Sequence, residues 1–186
     1  MKLEEVQEIV KNKLSEKRYY HSLCVMERCE ELANKFNYDI EIAKKVGIAH
    51  DIAKELTEEE KLKYVKENNI EIDEIEKENT SLLHAKIGAD IAIKALGFTL
   101  EMADAIKAHT TGLPNMSLLA KILFISDRTS KERNFPDIDL LNEILEKNIN
   151  EAVLYIIDKK IQLQIERKKS MHPNSIIARN EILKLI

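Results

Sequence analysis

Four of the five histidines, His21, His50, His84 and His109, fall within or at the end of apolar helical stretches; His50 is followed at once by Asp51, and Asp127 sits just past another such run. Each alone has an ordinary explanation, because an imidazole in an apolar helix is commonly a hydrogen-bonded structural residue. The set is what points to chemistry. Neighbouring helical positions lie about 100° apart, so His50 and Asp51 cannot share one narrow stripe. Near a helix end, however, both can reach a cavity between adjacent helices. His21 from a preceding helix and Asp127 from a later one would complete a mixed nitrogen and oxygen shell, which suits iron, manganese or zinc better than calcium. The imidazoles must be neutral to ligate.

Groups able to meet phosphate flank this set. Lys54 follows Asp51 by about one helical turn, so its ammonium can overhang the same cavity; the plain alternative is a surface lysine in a charged segment. Arg133 falls in a loop after Asp127, where a guanidinium can bind phosphate bidentately or simply be solvated. Arg18, one turn before His21, is a similar candidate, with a surface ion pair as the competing account. Thr110-Thr111-Gly112 can present hydroxyls and backbone N–H groups to phosphate, or be no more than a helix stop and glycine turn. The chain has no Gly-x-Ser-x-Gly elbow and no Gly-x-x-x-x-Gly-Lys loop, so phosphate handling would fall to metal and basic side chains.

The elements that must position these residues read as helices. The 186 residues are 44% hydrophobic and 33% charged, enough for one buried core in one domain spanning residues 1–186. With four Gly, three Pro and 5% aromatic residues, the composition favours an all-α protein of about eight helices. Amphipathic helices are expected near Leu3 to Leu14 and Arg18 to Phe36. Asp39 caps a third helix ending near His50-Asp51, and Thr57 with Glu60 forms a capping box for a fourth. Lys54 to Lys77 reads as a solvated, charged surface. Leu82 to Leu96 is stopped by Gly97, and Thr99 caps a short helix ending near His109, followed by a loop from Thr110 to Pro114. Leu118 to Ile125 is nearly all apolar and should be central, with Asp127 just beyond it. Pro136 precedes another helix, Glu151 to Lys169 forms a long one, and His172-Pro173 starts the last. His172 is left outside the metal shell, and Arg179 and Asn180 are read as structural.

Lys and Arg (29) nearly balance Asp and Glu (33), leaving a net charge of -4 and no broad cationic face for duplex nucleic acid. Cys24 and Cys29, about 140° apart on a helix, cannot pair and read as core thiols of a reducing compartment. No segment reaches the roughly 18 apolar residues of a membrane span, so no membrane partner and a cytoplasmic location are expected.

In their order, His21, His50-Asp51 and Asp127 resemble the signature of the HD-domain metal-dependent phosphohydrolases. Further segments are similar to the YqeK family of bacterial symmetrical bis(5'-nucleosyl)-tetraphosphatases. They are Arg18-Tyr19-Tyr20-His21-Ser22, His50-Asp51-Ile52-Ala53-Lys54-Glu55, Leu83-His84 with Gly88-Ala89, His109-Thr110-Thr111-Gly112, Arg133 with Phe135-Pro136, and His172-Pro173 with Ala178-Arg179-Asn180. That resemblance implies an HD-type bundle with two metal ions, iron first and manganese or zinc as alternatives. His21, His50, Asp51 and Asp127 would hold one ion, and Asp51, His84 and His109 the other. It also implies a nucleotide partner, diadenosine tetraphosphate, cleaved to two ADP; a homodimer is compatible with it. Two cations that clamp the oxygens of a phosphate anhydride and acidify water answer the two obstacles to its hydrolysis. The expected nucleophile is a bridging hydroxide, with Asp127 helping to orient it. The family usually carries a Glu-Pro pair soon after the last metal aspartate, whereas here Ser130 stands at the acid's place within Arg128-Thr129-Ser130-Lys131-Glu132. The alternatives are another nucleotide substrate (a nucleoside monophosphate, a deoxynucleoside triphosphate or a guanosine alarmone) or a non-catalytic nucleotide-binding module, against which the intact ligand set argues.

Overall fold

The computed structural model describes residues 1–186. The chain forms α1 (Leu3–Lys11), α2 (Glu16–Lys35), α3 (Ile40–Ala49), α4 (Glu58–Glu67), α5 (Glu74–Glu78), a 3-10 turn at Thr80–Leu82, α6 (Leu83–Leu96), α7 (Leu100–Thr111), α8 (Leu118–Thr129), α9 (Ile138–Lys147), α10 (Ile149–Glu166) and α11 (Pro173–Ile182). The all-α expectation holds, with eleven helices in place of about eight. One of the additional elements is α5, inside the stretch read as plain charged surface. It is set off by Asp73, which accepts from the Glu76 N–H while the Glu76 carboxylate accepts from the Asp73 N–H. Glu76 is buried and ion-paired to Lys86 at 2.6 Å, so this charged stretch is partly built into the fold.

The local start and stop signals act as their chemistry requires. Asp39, Thr57 and Thr99 each accept a backbone N–H in the first turn of α3, α4 and α7. Gly97 ends α6 at φ 68, a left-handed conformation that costs glycine little. Two boundaries differ from expectation. Helix α7 continues through Thr110 and Thr111 to Gly112, and α8 continues past the apolar run so that Asp127 lies in its last turn. In both cases the i to i−4 ladder extends to the first residue whose backbone leaves helical space, which apolar periodicity alone does not mark.

Helix α8 is central, packing on α2, α3, α7 and α10. Leu119, Ile122, Leu123, Phe124 and Ile125 are buried, each contributing roughly 1.5–3 kcal/mol of hydrophobic stabilisation. One apolar cluster runs from Val6 to Ile182 through these residues. Both cysteines are buried and free. No helix is long and apolar enough to cross a membrane.

Gly47 sets the approach of α3 to α2. A Cβ there would stand 2.8 Å from Met26 Cα and 3.1 Å from Cys29 Sγ. Gly47→Ala gains about 1 kcal/mol of helix propensity, but overpacking against backbone costs up to about 3 kcal/mol. A net loss of about 1–2 kcal/mol is expected in chemical denaturation, and an unchanged or raised midpoint would contradict this packing.

Candidate metal centre

Helix ends bring most of the metal-type residues together. His50 is the C-cap of α3, with Asp51 in the following turn; His84 opens α6; His109 lies in the last turn of α7 and Asp127 in that of α8. His21 comes from the interior of α2. The four imidazoles form a chain of neighbours, with ring centroids 5.3, 5.1 and 5.0 Å apart from His21 through His50 and His109 to His84.

Three of these rings are oriented in one way. The Nδ1 of His50, His84 and His109 donates to the carbonyl three residues back, at Gly47 (2.8 Å), Ser81 and Ile106 (2.6 Å). Those bonds leave each Nε2 as a lone pair aimed at the centre, the arrangement in which a ligating histidine is held by its other nitrogen. His84 Nε2 and His109 Nε2 then face each other at 3.0 Å, two acceptors that repel unless a cation is shared between them.

The carboxylates divide the cluster. Asp51 Oδ2 lies 3.5 Å from His50 Nε2 and 3.9 Å from His21 Nε2, whereas Oδ1 lies 3.3 Å from His84 Nε2 and 3.5 Å from His109 Nε2. Asp127 Oδ1 is 3.2 Å from His21 Nε2 and 3.9 Å from His50 Nε2. His50 Nε2 and Asp51 Oδ1 are fully buried without a hydrogen-bond partner, an expensive state for polar atoms that a cation would relieve. Two triads, His21/His50/Asp127 and His50/Asp51/His109, each keep their donor atoms within 4.8 Å of one another. Buried orphaned donors and a mixed imidazole and carboxylate set together fit a borderline divalent metal.

The electrostatics favour the ligating forms of His84, His109 and the two carboxylates. At His50 burial is outweighed by the Asp51 carboxylate, which raises its pKa and which a bound cation would offset. Burial pushes the His109 pKa down to about 4 and also lowers that of His84, so both rings are neutral at pH 7. Burial works to raise the pKa of Asp51, but the surrounding imidazoles, His50 foremost, hold it well below the usual carboxylate range. Asp127 is held low in the same way, chiefly by its bond with His21. A fixed negative pair among these rings is a place for positive charge.

The basic residues expected at the site are there. Arg18 Nη1 bonds Asp51 Oδ2 at 3.1 Å, Lys54 Nζ lies 3.1 Å from His84 Nε2 and 3.8 Å from Asp51 Oδ1, and Arg133 Nη2 bonds Asp127 Oδ1 at 2.8 Å. Thr110 and Thr111 line a neighbouring cavity of about 590 Å³. Their hydroxyls are helical rather than in a loop, and that of Thr111 donates to the Gly112 carbonyl at 3.0 Å. His172 caps α11 by accepting the Asn174 N–H on Nδ1, and its Nε2 meets Asp73 at 2.9 Å; Arg179 bonds Asp158.

Glu132 is the site residue that sequence reasoning missed. Its carboxylate accepts from His21 Nδ1 and also from the Ser130 hydroxyl at 2.8 Å. The departure at Ser130 is therefore met two residues later: Glu132 supplies the carboxylate, and the serine orients it. The one available signal was an acid in the loop between Asp127 and Arg133.

Comparison with known proteins identifies the family. The family model for the HD domain matches residues 18–132, a span that contains all six residues of the cluster, and the chain belongs to this family of phosphohydrolases. Within it, the chain is similar to the symmetrical bis(5'-nucleosyl)-tetraphosphatase of Bacillus subtilis, at 30% identity over 97% of each chain. The enzyme of the same description from Halalkalibacterium halodurans is 32% identical over 95% of this chain and 94% of its own. A crystal structure from Clostridium acetobutylicum, described as a predicted HD superfamily hydrolase involved in NAD metabolism, superposes with a TM-score of 0.93 at 35% identity, covering 98% of this chain and 97% of that one.

Proposed function

We propose that this phosphohydrolase cleaves diadenosine tetraphosphate symmetrically to two ADP, with residues 1–186 acting as one domain around two divalent ions. The observation that carries the two-ion reading is the division of Asp51, whose Oδ2 faces His21 and His50 while Oδ1 faces His84 and His109. One ion would be held by His21, His50, Asp51 and Asp127, the other by Asp51, His84 and His109, with iron the first candidate for an imidazole-rich set and manganese or zinc next. Such ions, when bound, neutralise phosphate oxygens and make hydroxide available from water at neutral pH. The substrate rests on the similarity to the two tetraphosphatases.

The chain's own residues divide the remaining work. Asp51, with its side chain 3% exposed, is enclosed and would serve as a bridge; Asp127, at 24%, is partly open to solvent and can orient an approaching water. Arg18, Lys54 and Arg133 cluster at the carboxylates and can present charged N–H donors to phosphate oxygens. Lys54→Ala should retain both ions and lose about tenfold in turnover, the worth of one charge-assisted contact. Loss of metal in that variant would show that the lysine builds the centre and does not serve the substrate.

The deciding experiment incubates metal-loaded protein with diadenosine tetraphosphate, a nucleoside monophosphate, a deoxynucleoside triphosphate and a guanosine alarmone, and resolves the products. ADP as sole product of the first supports the proposal. Inertness towards it with rapid turnover of another nucleotide overturns the substrate, and saturable binding without any hydrolysis would mark a binding module.

A further inference from the structure

A substrate with two nucleoside diphosphate halves must find room for both on either side of the bond that breaks. The cavity of about 590 Å³ lies between the α5 and 3-10 segment on one side and the α10 to α11 junction on the other. Leu82 in its wall precedes His84 by two residues, and Thr110 follows His109 directly, so the cavity borders the helix ends that carry those imidazoles. Its lining mixes apolar side chains such as Ile75 and Ile161 with Gln164, one carboxylate (Glu78) and three cations (Lys160, Lys168 and Lys169).

Lys160 is the unusual member. It is half-buried on α10, donates one hydrogen bond, to the Thr110 carbonyl at 3.0 Å, and lies 4.2 Å from the centroid of the buried Phe124 ring. No carboxylate pairs with it, although the adjacent Lys159 is paired with Asp137 at 3.2 Å. An ammonium has three donors, so two of its N–H groups are left for something else. Burial brings its pKa down to about 8 against a partial offset from the Asp127 carboxylate, so the cation is left incompletely compensated. An anion in the cavity would supply that charge, and apolar side chains beside a cation suit a ligand with a phosphate end and a ring.

We propose that this cavity seats one nucleoside diphosphate half of the substrate, with Lys160 binding its phosphates. The inference rests on the dinucleotide hydrolase reading and adds to it a place for the half that becomes a leaving product. Lys160 is then a substrate-binding residue, a lysine at the i+7 position of the apolar face that Val153, Ile156 and Ile157 define on α10.

ADP affinity of the metal-loaded protein, measured by equilibrium dialysis, tests this separately from turnover. Lys160→Met should weaken ADP binding at least tenfold, and Lys160→Arg should restore part of it, while elemental analysis finds the same metal content in all three proteins. Gln164→Trp, at a half-exposed position whose side chain makes no hydrogen bond, should obstruct the cavity and weaken ADP to a similar degree, and it keeps the test alive if Lys160→Met does not fold. Wild-type ADP affinity in both Lys160→Met and Gln164→Trp overturns the proposal and leaves the hydrolase reading standing. Conversely, weakened ADP binding in the variants of a protein that leaves diadenosine tetraphosphate intact upholds the cavity and rejects the substrate.

Discussion

Asp51→Asn should strip the centre of its metal and reduce hydrolysis by more than about a thousandfold. Asparagine matches aspartate in size, so the core around it stays filled and the change is electrostatic. It removes the one carboxylate within reach of both imidazole pairs, His21 and His50 on Oδ2, His84 and His109 on Oδ1. Metal charge is worth several kcal/mol to a transition state of this kind, and each 1.36 kcal/mol is tenfold in rate, which sets the expected scale. Elemental analysis of the purified variant and its turnover of diadenosine tetraphosphate provide the two readings. Asp51→Ala should behave alike. Two equivalents of metal retained in either variant would contradict a bridging role, and retention of one would restrict Asp51 to a single ion.

How far such a site can be read from the sequence depends on the range of the interactions that build it. Asp39, Thr57 with Glu60, Thr99 and Gly97 act on backbone groups a few residues away, so the starts and stops they impose are visible locally. The convergence of His21, His50, Asp51, His84, His109 and Asp127 is long-range: the position of His50-Asp51 near a helix end, with His21 and Asp127 on helices before and after it, suggests a shared cavity, and His84 and His109 join them only through the resemblance to a family pattern. The rest was hidden for physical reasons. Helix α5 is delimited by Asn and Asp caps with neither Gly nor Pro. Thr110 and Thr111 complete a helix whose end is set at Gly112, and they line the cavity beside the centre. Lys160 follows Val153, Ile156 and Ile157 by seven, four and three residues, the spacing of one helix face, so periodicity alone would have marked a lysine turned inward over Phe124 had the charge not been read as solvated.

The course of a loop is the least legible feature, and Glu132 shows what that conceals. Its carboxylate accepts the Nδ1–H of His21, which fixes the ring with Nε2 towards Asp127 and adds negative charge behind a candidate ligand. Loss of such a partner typically costs 10–100-fold in metal affinity or activity. Two substitutions separate its contributions. In Glu132→Gln the amide oxygen can still accept the Nδ1–H, so orientation is kept and only the charge is lost; about tenfold weaker metal binding is expected. Glu132→Ala loses both and should approach a hundredfold. Ser130→Ala, which frees the carboxylate from its own hydroxyl donor at 2.8 Å, should have the smallest effect of the three. Titration against a competing chelator gives the order directly. Wild-type affinity in Glu132→Ala would mean that His21 is oriented by its helix alone, and a Gln variant as weak as the Ala variant would make charge, with no share for orientation, the whole of what Glu132 contributes.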